Sequence, residues 1–387
     1  MIEYAEDDVT QYLAHLKVIG VGGGGCNAVN RMMEAGIEGV ECIAANTDYK
    51  SLRRSKAIKK LQLGKALTKG LGSGGNPETG KMAAQESTDE IQKVLEGADM
   101  VVIAAGMGGG TGTGSAPIVA EISKKLGILT VAVVSRPFEW EGPVRKAQAE
   151  DGLRALMPHL DAIVIIPNDR INLVCEQEVD LSSAFALVDE VLVQGIQAIS
   201  GVIHSEGKIN RDFADVRRIL TAKGKVLMGT GAGTGEDRAL KAVQKAVNSP
   251  LLEDVDIAQA NAILFVVTHG TNFSLKELND IAGFLQKSAR PGVEIVPGLV
   301  PDESLRDGIR VTIIATGFDT LRNAEQMATV IDLKNFVTPS FNTAKASSSQ
   351  PAPMEEMEGD MALKLSDGQY DIPAYLRRRL ASKPFQN

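Results

Sequence analysis

Short apolar runs rich in β-branched residues, at Leu16–Val21, Val40–Ala45, Met100–Ala105, Leu129–Ser135 and Ala162–Pro167, alternate with stretches whose apolar positions recur at helical spacing. Strand, helix and strand in that order predict a parallel sheet covered by helices on both faces. From Val179 to Ile203 the helical pattern runs unbroken, with Phe185, Val188, Leu192, Ile196 and Ile199 on one stripe and Asp180 or Ser182 as the N-cap. At about 1.5 Å per residue this helix is long enough to cross a domain. Beyond it, Lys225–Met228, Ala262–His269, Glu294–Leu299 and Ile309–Thr316 read as strands of a second, smaller α/β unit. The expected organisation is an acidic extension over 1–16, a first α/β domain over 17–178, a central helix over 179–203 and a second domain over 204–318. A flexible linker over 319–369 and a terminal peptide over 370–387 complete it. The linker is rich in Ser, Ala, Pro, Met and acidic residues, as expected of a disordered segment; about 50 such residues span roughly 40 Å.

The chemistry gathers where strands end. Ligands of doubly wound sheets lie beyond the carboxyl ends of the strands. Those ends carry Gly22–Asn27, Asn46-Thr47-Asp48, the run Gly108-Gly109-Gly110-Thr111-Gly112-Thr113-Gly114, and Pro167-Asn168-Asp169. A strand that passes through glycines into a helix lets several N–H groups converge beside the positive end of the helix dipole, which makes a phosphate cradle. Gly20–Gly25 fits G-x-G-x-x-G, and Asp48 stands where a dinucleotide fold places its ribose-binding acid, so a nicotinamide dinucleotide is one reading. A dinucleotide does not require a second cradle. The second run has Thr111 and Thr113 as additional hydroxyl donors and carries no lysine, so two glycine loops on one edge suit a triphosphate held between them. Gly75–Met82 also fits G-x-x-x-x-G-K, but Met82 stands where Ser or Thr would bind Mg²⁺ and no strand precedes it. Gly70–Asn76 reads as a loop and Pro77 as the first turn of a helix.

Composition narrows the class. A chain of 387 residues with 44% apolar content supplies two ordinary cores. Glu3, Glu6, Asp7 and Asp8 make an acidic start unlike a signal peptide, and no apolar run is expected to span a bilayer, so a cytoplasmic location without membrane insertion is expected. Cys26, Cys42 and Cys175 follow no metal-ligand spacing, and no metal held by protein side chains is expected. A net charge of −8 argues against broad nucleic-acid binding.

Gly-Gly-Gly-Thr-Gly-Thr-Gly together with the upstream Gly22–Asn27 loop resembles the tubulin/FtsZ superfamily, over about Lys17 to Phe318 and again at Asp371–Arg378. Asn46-Thr47-Asp48, Gly70–Glu78, Pro137-Phe138 through Glu141-Gly142 and Arg145, Pro167-Asn168-Asp169, and Asn210–Val216 extend the match in order. The resemblance implies a Rossmann-like GTPase domain joined by the central helix to the second domain. It implies GTP/GDP and Mg²⁺ as ligands, the metal held mainly by the phosphates, and a head-to-tail homopolymer that forms the cytokinetic ring beneath the membrane at mid-cell in bacterial division. Gly23, Gly24, Gly25, Cys26 and Asn27, with Gly109, Gly110, Thr111 and Gly112, would contact the phosphates, Asn27 also reaching the nucleoside. Glu141 and Arg145 would hold the ribose and phosphate region, and Asn168, Phe185 and Asp189 would frame the guanine. A carboxylate at Asp189 accepts two hydrogen bonds from guanine N1–H and the N2 amine, a donor pair that adenine lacks. Asp212 and Asp215 would be catalytic, acting on the nucleotide of the neighbouring subunit. The terminal Asp371–Arg379 would dock onto membrane-tethering and regulatory division proteins, with Ile372, Tyr375 and Leu376 as the apolar face of a helix folded on binding.

Blander readings stand beside several of these roles. Phe185 also fits a core position of the long helix, Glu141 and Arg145 an i,i+4 surface pair, Asp212 an N-cap and Asp215 a first-turn acid. Arg211 replaces the aliphatic residue usual between the Asn and the first Asp, and His204–Lys208 replaces a more apolar approach to that loop. Trp140 and Tyr49 are bulkier than usual at the nucleotide rim. A tubulin-like filament used for something other than division is the runner-up reading.

Overall fold

The strands fall almost where the apolar runs lie: β1 Leu16–Val21, β2 Val40–Asn46, β4 Met100–Gly106, β5 Leu129–Arg136 and β6 Ala162–Pro167, with β3 Lys59–Gln62 between β2 and β4. The second half supplies β7 Lys225–Gly233, β8 Ala262–His269, β9 Glu294–Pro301 and β10 Ile309–Phe318. Helices α1 Gly22–Glu34, α2 Tyr49–Arg54, α3 Lys65–Thr68, α4 Pro77–Glu86, α5 Thr88–Leu95, α6 Thr111–Lys125 and α7 Pro143–Leu156 connect the first half. The remainder are α8 Leu181–His204, α9 Phe213–Leu220, α10 Arg238–Val247 and α11 Leu275–Ser288. This computed structural model describes residues 14–37, 39–173, 180–204, 213–221, 225–249 and 257–318.

All ten strands form one sheet in the order β3-β2-β1-β4-β5-β6-β7-β10-β8-β9. The strands from β3 to β6 pair in parallel, and β7 joins them in parallel through Val226 opposite Val164. β10 is antiparallel to both β7 and β8, a mixed arrangement that the run of apolar segments did not disclose. Residues alternate between the two faces, and both faces are buried, which accounts for the nearly continuous apolar composition of the strands. Val18, Val102 and Val133 face α1 and α8, whereas Ile19, Ile103 and Val134 face α4 to α7. On that second face α10 and α11 cover β7 to β10.

α8 starts where Asp180 caps it: Asp180 accepts from the Ser183 N–H and hydroxyl, both at 2.9 Å. Ser183–Ile203 is long and apolar enough, at mean hydropathy 1.4, to pass for a membrane span, contrary to the expectation that no segment would. Its apolar character has a different cause. Val188, Leu192, Ile196 and Ile199 are almost wholly buried against the sheet, and its glycines permit close approach, since a Cβ on Gly201 would meet Val300 at 2.9 Å.

Candidate nucleotide site

The two glycine runs are helix starts rather than loops. α1 begins at Gly22, directly after β1, and α6 begins at Thr111, so Gly112 and Gly114 already lie in its first turn. Neither helix has a side-chain cap at its N-terminus. The first N–H groups of a helix lack intrahelical partners, which turns the amides of Gly22, Gly23 and Gly24 on α1, and of Thr111, Gly112 and Thr113 on α6, into donors for an anion. The two starts abut: a Cβ on Gly22 would lie 2.8 Å from the Gly112 nitrogen.

The glycines divide into two kinds. A Cβ on Gly25 would meet the Ala104 carbonyl oxygen at 2.2 Å, one on Gly110 the Ser73 hydroxyl at 2.2 Å, and one on Gly114 the Pro77 carbonyl at 1.9 Å. Those glycines are needed so that the helices can pack. Around Gly23 and Gly109 a Cβ would meet nothing within 4 Å, and neither has a positive φ. Their lack of a side chain leaves room for something outside the chain, and a phosphate group between two helix N-termini fits that room.

Side chains in the runs are engaged internally. The Thr113 hydroxyl accepts from the Gly108 N–H at 2.8 Å, and the Thr111 hydroxyl shares hydrogen bonds with Thr47 at 2.6 Å and Ser73 at 3.1 Å. The threonines therefore set the shape of the cradle, and its donors are mainly backbone amides. Cys26 points inward, its Sγ 3.7 Å from both Gly20 O and Ala45 O, and burial pushes its thiol up to about 12. Asp48 caps α2 by accepting from Lys50 N at 2.9 Å. In the P-loop-like segment, Asn76 caps α4, Pro77 takes its first position and no strand leads in, as expected.

The far end of the cleft suits a base. Gly23 and Asn27 lie exposed one turn apart on α1, and Arg31 follows a turn later with its Nε 3.4 Å from Asp189 Oδ2 on α8. Sequence reasoning missed Arg31, although its i,i+4,i+8 spacing from Gly23 and Asn27 carried the signal. Phe185, one turn before Asp189, is 40% exposed. Its ring packs edge-on against Phe138 at 5.5 Å and Trp140 at 6.3 Å between centroids, so it is a rim residue rather than a core one. Asn168, at the end of β6, is buried, and its Oδ1 has no hydrogen-bond partner among the described residues. A buried acceptor left open costs about 1–3 kcal/mol, and a donor on a bound base would satisfy it. Glu141 sits in a 3₁₀ turn, accepts from Phe138 N at 3.0 Å and pairs with Arg145 on α7. This is the i,i+4 ion pair of the bland reading. Arg145 nonetheless adjoins the cradle, because a Cβ on Gly108 would meet its carbonyl oxygen at 2.9 Å.

Burial raises Asp189 from 3.8 to about 6, and Arg31 opposes the shift without cancelling it. The fold thus holds this proton more tightly than the unfolded chain does. The contribution to stability is present at acid pH and is lost as pH rises from 3.8 to about 6. If Asp189 accepts the donors of guanine, as the resemblance implies, binding requires the ionised form and the sign reverses for affinity. Guanine-nucleotide affinity is expected to fall up to about tenfold per pH unit below the shifted value, and Asp189→Asn to flatten the profile. Titrations with a fluorescent GDP analogue between about pH 5 and about pH 8 measure both.

Asp215 lies elsewhere. Val226, the second residue of β7, pairs in parallel with Val164, so the chain enters β7 at the amino edge of the sheet, immediately after α9. Asp215, in the first turn of α9, pairs with Arg218 at 3.5 Å. Arg218 forks onto Glu294, the first residue of β9, on the same edge. The glycine cradle occupies the opposite, carboxyl edge, about 20 Å away along a six-residue strand. Asp212, Arg211, residues 205–208, Cys175, residues 1–13 of the N-terminal extension and Asp371–Arg379 lie outside the described residues.

Paired, uncapped helix starts at the carboxyl edge of a doubly wound sheet, with a long helix packed against the first of them, define a nucleotide-binding α/β protein. Residues 15–176 match the family model for the GTPase domain of the tubulin/FtsZ family, and residues 224–319 match that for the C-terminal domain of the FtsZ family. An empty FtsZ dimer from M. jannaschii is 43% identical with a TM-score of 0.77, the alignment covering 80% of this chain and 90% of that one. A mutant of FtsZ from M. jannaschii is 44% identical with the same TM-score, covering 80% and 93%. CetZ1 from Haloferax volcanii, a GDP-bound monomer, shares the fold at 21% identity and a TM-score of 0.68, covering 82% and 99%. The chain belongs to the FtsZ family. With the tubulin/FtsZ GTPase domain come guanine-nucleotide binding and GTP hydrolysis as the activity of the class, and the nicotinamide reading is set aside.

Proposed function

We propose that this chain assembles head to tail and hydrolyses GTP at the junction between subunits, as the filament protein of the cytokinetic ring in bacterial cell division. The observation that carries this reading is the separation of Asp215 from the cradle: an acid on the amino edge and a nucleotide on the carboxyl edge meet only when a second subunit stacks on the first. Such a contact does not close on itself and so builds a filament. In each junction the phosphates lie on the amides of α1 and α6, with Mg²⁺ carried by the phosphates and offsetting their charge. Asp212 and Asp215 of the next subunit hold the attacking water. Its oxygen bonds to the γ-phosphorus, the bond to the β–γ bridging oxygen breaks, and GDP and phosphate result.

Phe185 offers an aromatic face to guanine, Asp189 accepts from N1–H and N2, and Asn168 Oδ1 takes a remaining donor. Asp371–Arg379 would join the filament to tethering and regulatory partners, placing it in the cytoplasm near the membrane. Measuring GTP turnover against protein concentration tests the proposal. Negligible turnover below a critical concentration and a linear rise above it are expected; a rate proportional to concentration from zero overturns the shared site. A filament with a non-division role would show the same kinetics. Deleting Asp371–Arg379 separates the two, since only the division reading requires that peptide for recruitment to the septum.

A further inference from the structure

The free edge of the sheet carries a second built feature, remote in composition from the nucleotide cradle. Among the described residues β3 ends the sheet, pairing with β2 alone, in parallel, from Ile43 opposite Lys59 to Asn46 opposite Gln62. Leu63 N donates to Asn46 O at 2.9 Å on the β2 side. Strand alternation therefore turns the N–H and C=O groups of Gln62 and Lys60 towards the open edge. Over this edge lies a cleft of about 590 Å³, walled on one side by α2 and on the other by α3 and α5. Leu52 and Leu61, both buried, and the half-buried Val94 make its floor. Its rim is cationic: Arg53, Lys60, Lys65 and Lys93 against one acid, Glu90. Lys65 and Glu90 neutralise each other at 2.5 Å, while Arg53, Lys60 and Lys93 are exposed and have no carboxylate partner among the described residues.

Lysines on a short edge strand can serve only to repel stray strands. That account explains Lys59 and Lys60. It does not explain a cavity with an apolar floor, nor unpaired cations contributed by helices on both sides of the edge. Main-chain donors and acceptors in the middle, apolar pockets beneath and unbalanced positive charge at both walls are what an extended acidic strand with alternating aliphatic side chains requires.

We propose that the cleft over β3 docks an acidic, extended peptide segment of a partner protein, which adds a strand to the sheet edge. The aliphatic side chains of the peptide would enter above Leu52, Leu61 and Val94, and its carboxylates would reach Arg53, Lys60 and Lys93. The probe is a fluorescein-labelled peptide of alternating Val and Glu, measured by anisotropy against the full chain loaded with GDP. Three comparison probes are a peptide of the same composition with its Val and Glu in separate blocks, an oligoglutamate of equal charge, and the alternating peptide N-methylated on every second amide.

Saturable binding of the alternating peptide is expected, with each comparison probe weaker by about tenfold or more. The paired charge reversal Arg53→Glu/Lys93→Glu should weaken the alternating peptide by a similar factor, without altering GDP affinity or the melting temperature. No saturable binding, equal affinity for oligoglutamate, indifference to N-methylation or indifference to the charge reversal would each overturn the proposal. So would displacement of the peptide by inorganic tripolyphosphate at lower concentration than by unlabelled peptide, which would make the cleft a phosphate site.

Discussion

Replacing Asp212 or Asp215 by alanine is expected to reduce GTP turnover by about 100-fold or more while GTP affinity stays within about twofold. The split follows from placement. Asp215 is on the amino edge of the sheet and the cradle is on the carboxyl edge, so Asp215 cannot touch the nucleotide bound to its own chain. Stability does not account for the loss either. Asp215→Ala removes an exposed i,i+3 pair with Arg218, worth about 0–1 kcal/mol. Equilibrium binding of a fluorescent GTP analogue beside phosphate release at saturating GTP measures both quantities. Loss of binding together with turnover, or turnover that survives, would remove the two acids from the mechanism. Mixing provides a further check. A subunit lacking Asp212 but holding GTP should regain part of its activity beside one with intact acids and a damaged cradle, because each supplies what the other lacks.

The second large effect concerns glycines that look alike in the sequence. Gly23→Ala and Gly109→Ala are each expected to weaken GDP and GTP by about 100-fold, close to 3 kcal/mol, with the melting temperature unchanged or slightly raised. Nothing in the protein opposes a Cβ at either position. At Gly23, inside the first turn of α1, alanine even favours the helix by roughly 0.5–1 kcal/mol. Only a bound phosphate would meet the new methyl. Gly114→Ala, five residues beyond Gly109, should behave in the opposite way, because its Cβ would lie 1.9 Å from the Pro77 carbonyl and force α6 from α4. That variant should lose melting temperature first and nucleotide affinity only in consequence. Calorimetric melting and nucleotide titration on the three proteins decide the matter. A Gly23→Ala protein that binds GDP normally would mean that the open space is not the phosphate site.

This division among glycines also marks where the sequence ceased to be legible. The strands that bear the cradle could be placed within a residue, because burial on both faces makes each an apolar run bounded by polar or glycine residues. β3 escaped notice because an edge strand of Lys-Lys-Leu-Gln buries one side chain and has no run to show. The antiparallel entry of β10 between β7 and β8 is set by pairing partners distant in the chain, which periodicity cannot report. At the site, the resemblance named Phe185, Asp189 and Asn168 in advance, and the structure describes them as a rim aromatic, a half-buried carboxyl and a buried open acceptor. Arg31 was not named: its spacing from Gly23 and Asn27 puts it on their face of α1, but its contact with Asp189 depends on α1 packing against α8. The threonines of the second run were read as ligand donors when they are struts, because a hydroxyl shows its direction only after the helix start is placed.

Asn168 Oδ1 and the Asp189 carboxyl set two acceptors against one protein donor among the described residues, Arg31. One is an acceptor sealed from water without a donor, the other a carboxyl that gives up solvation and receives a single arginine contact. On the proposed reading guanine supplies donors to both, so the base would act as a missing piece of the interior. Release of GDP would then uncover both acceptors before GTP covers them again, and exchange rather than encounter would set the pace at which a spent subunit becomes usable.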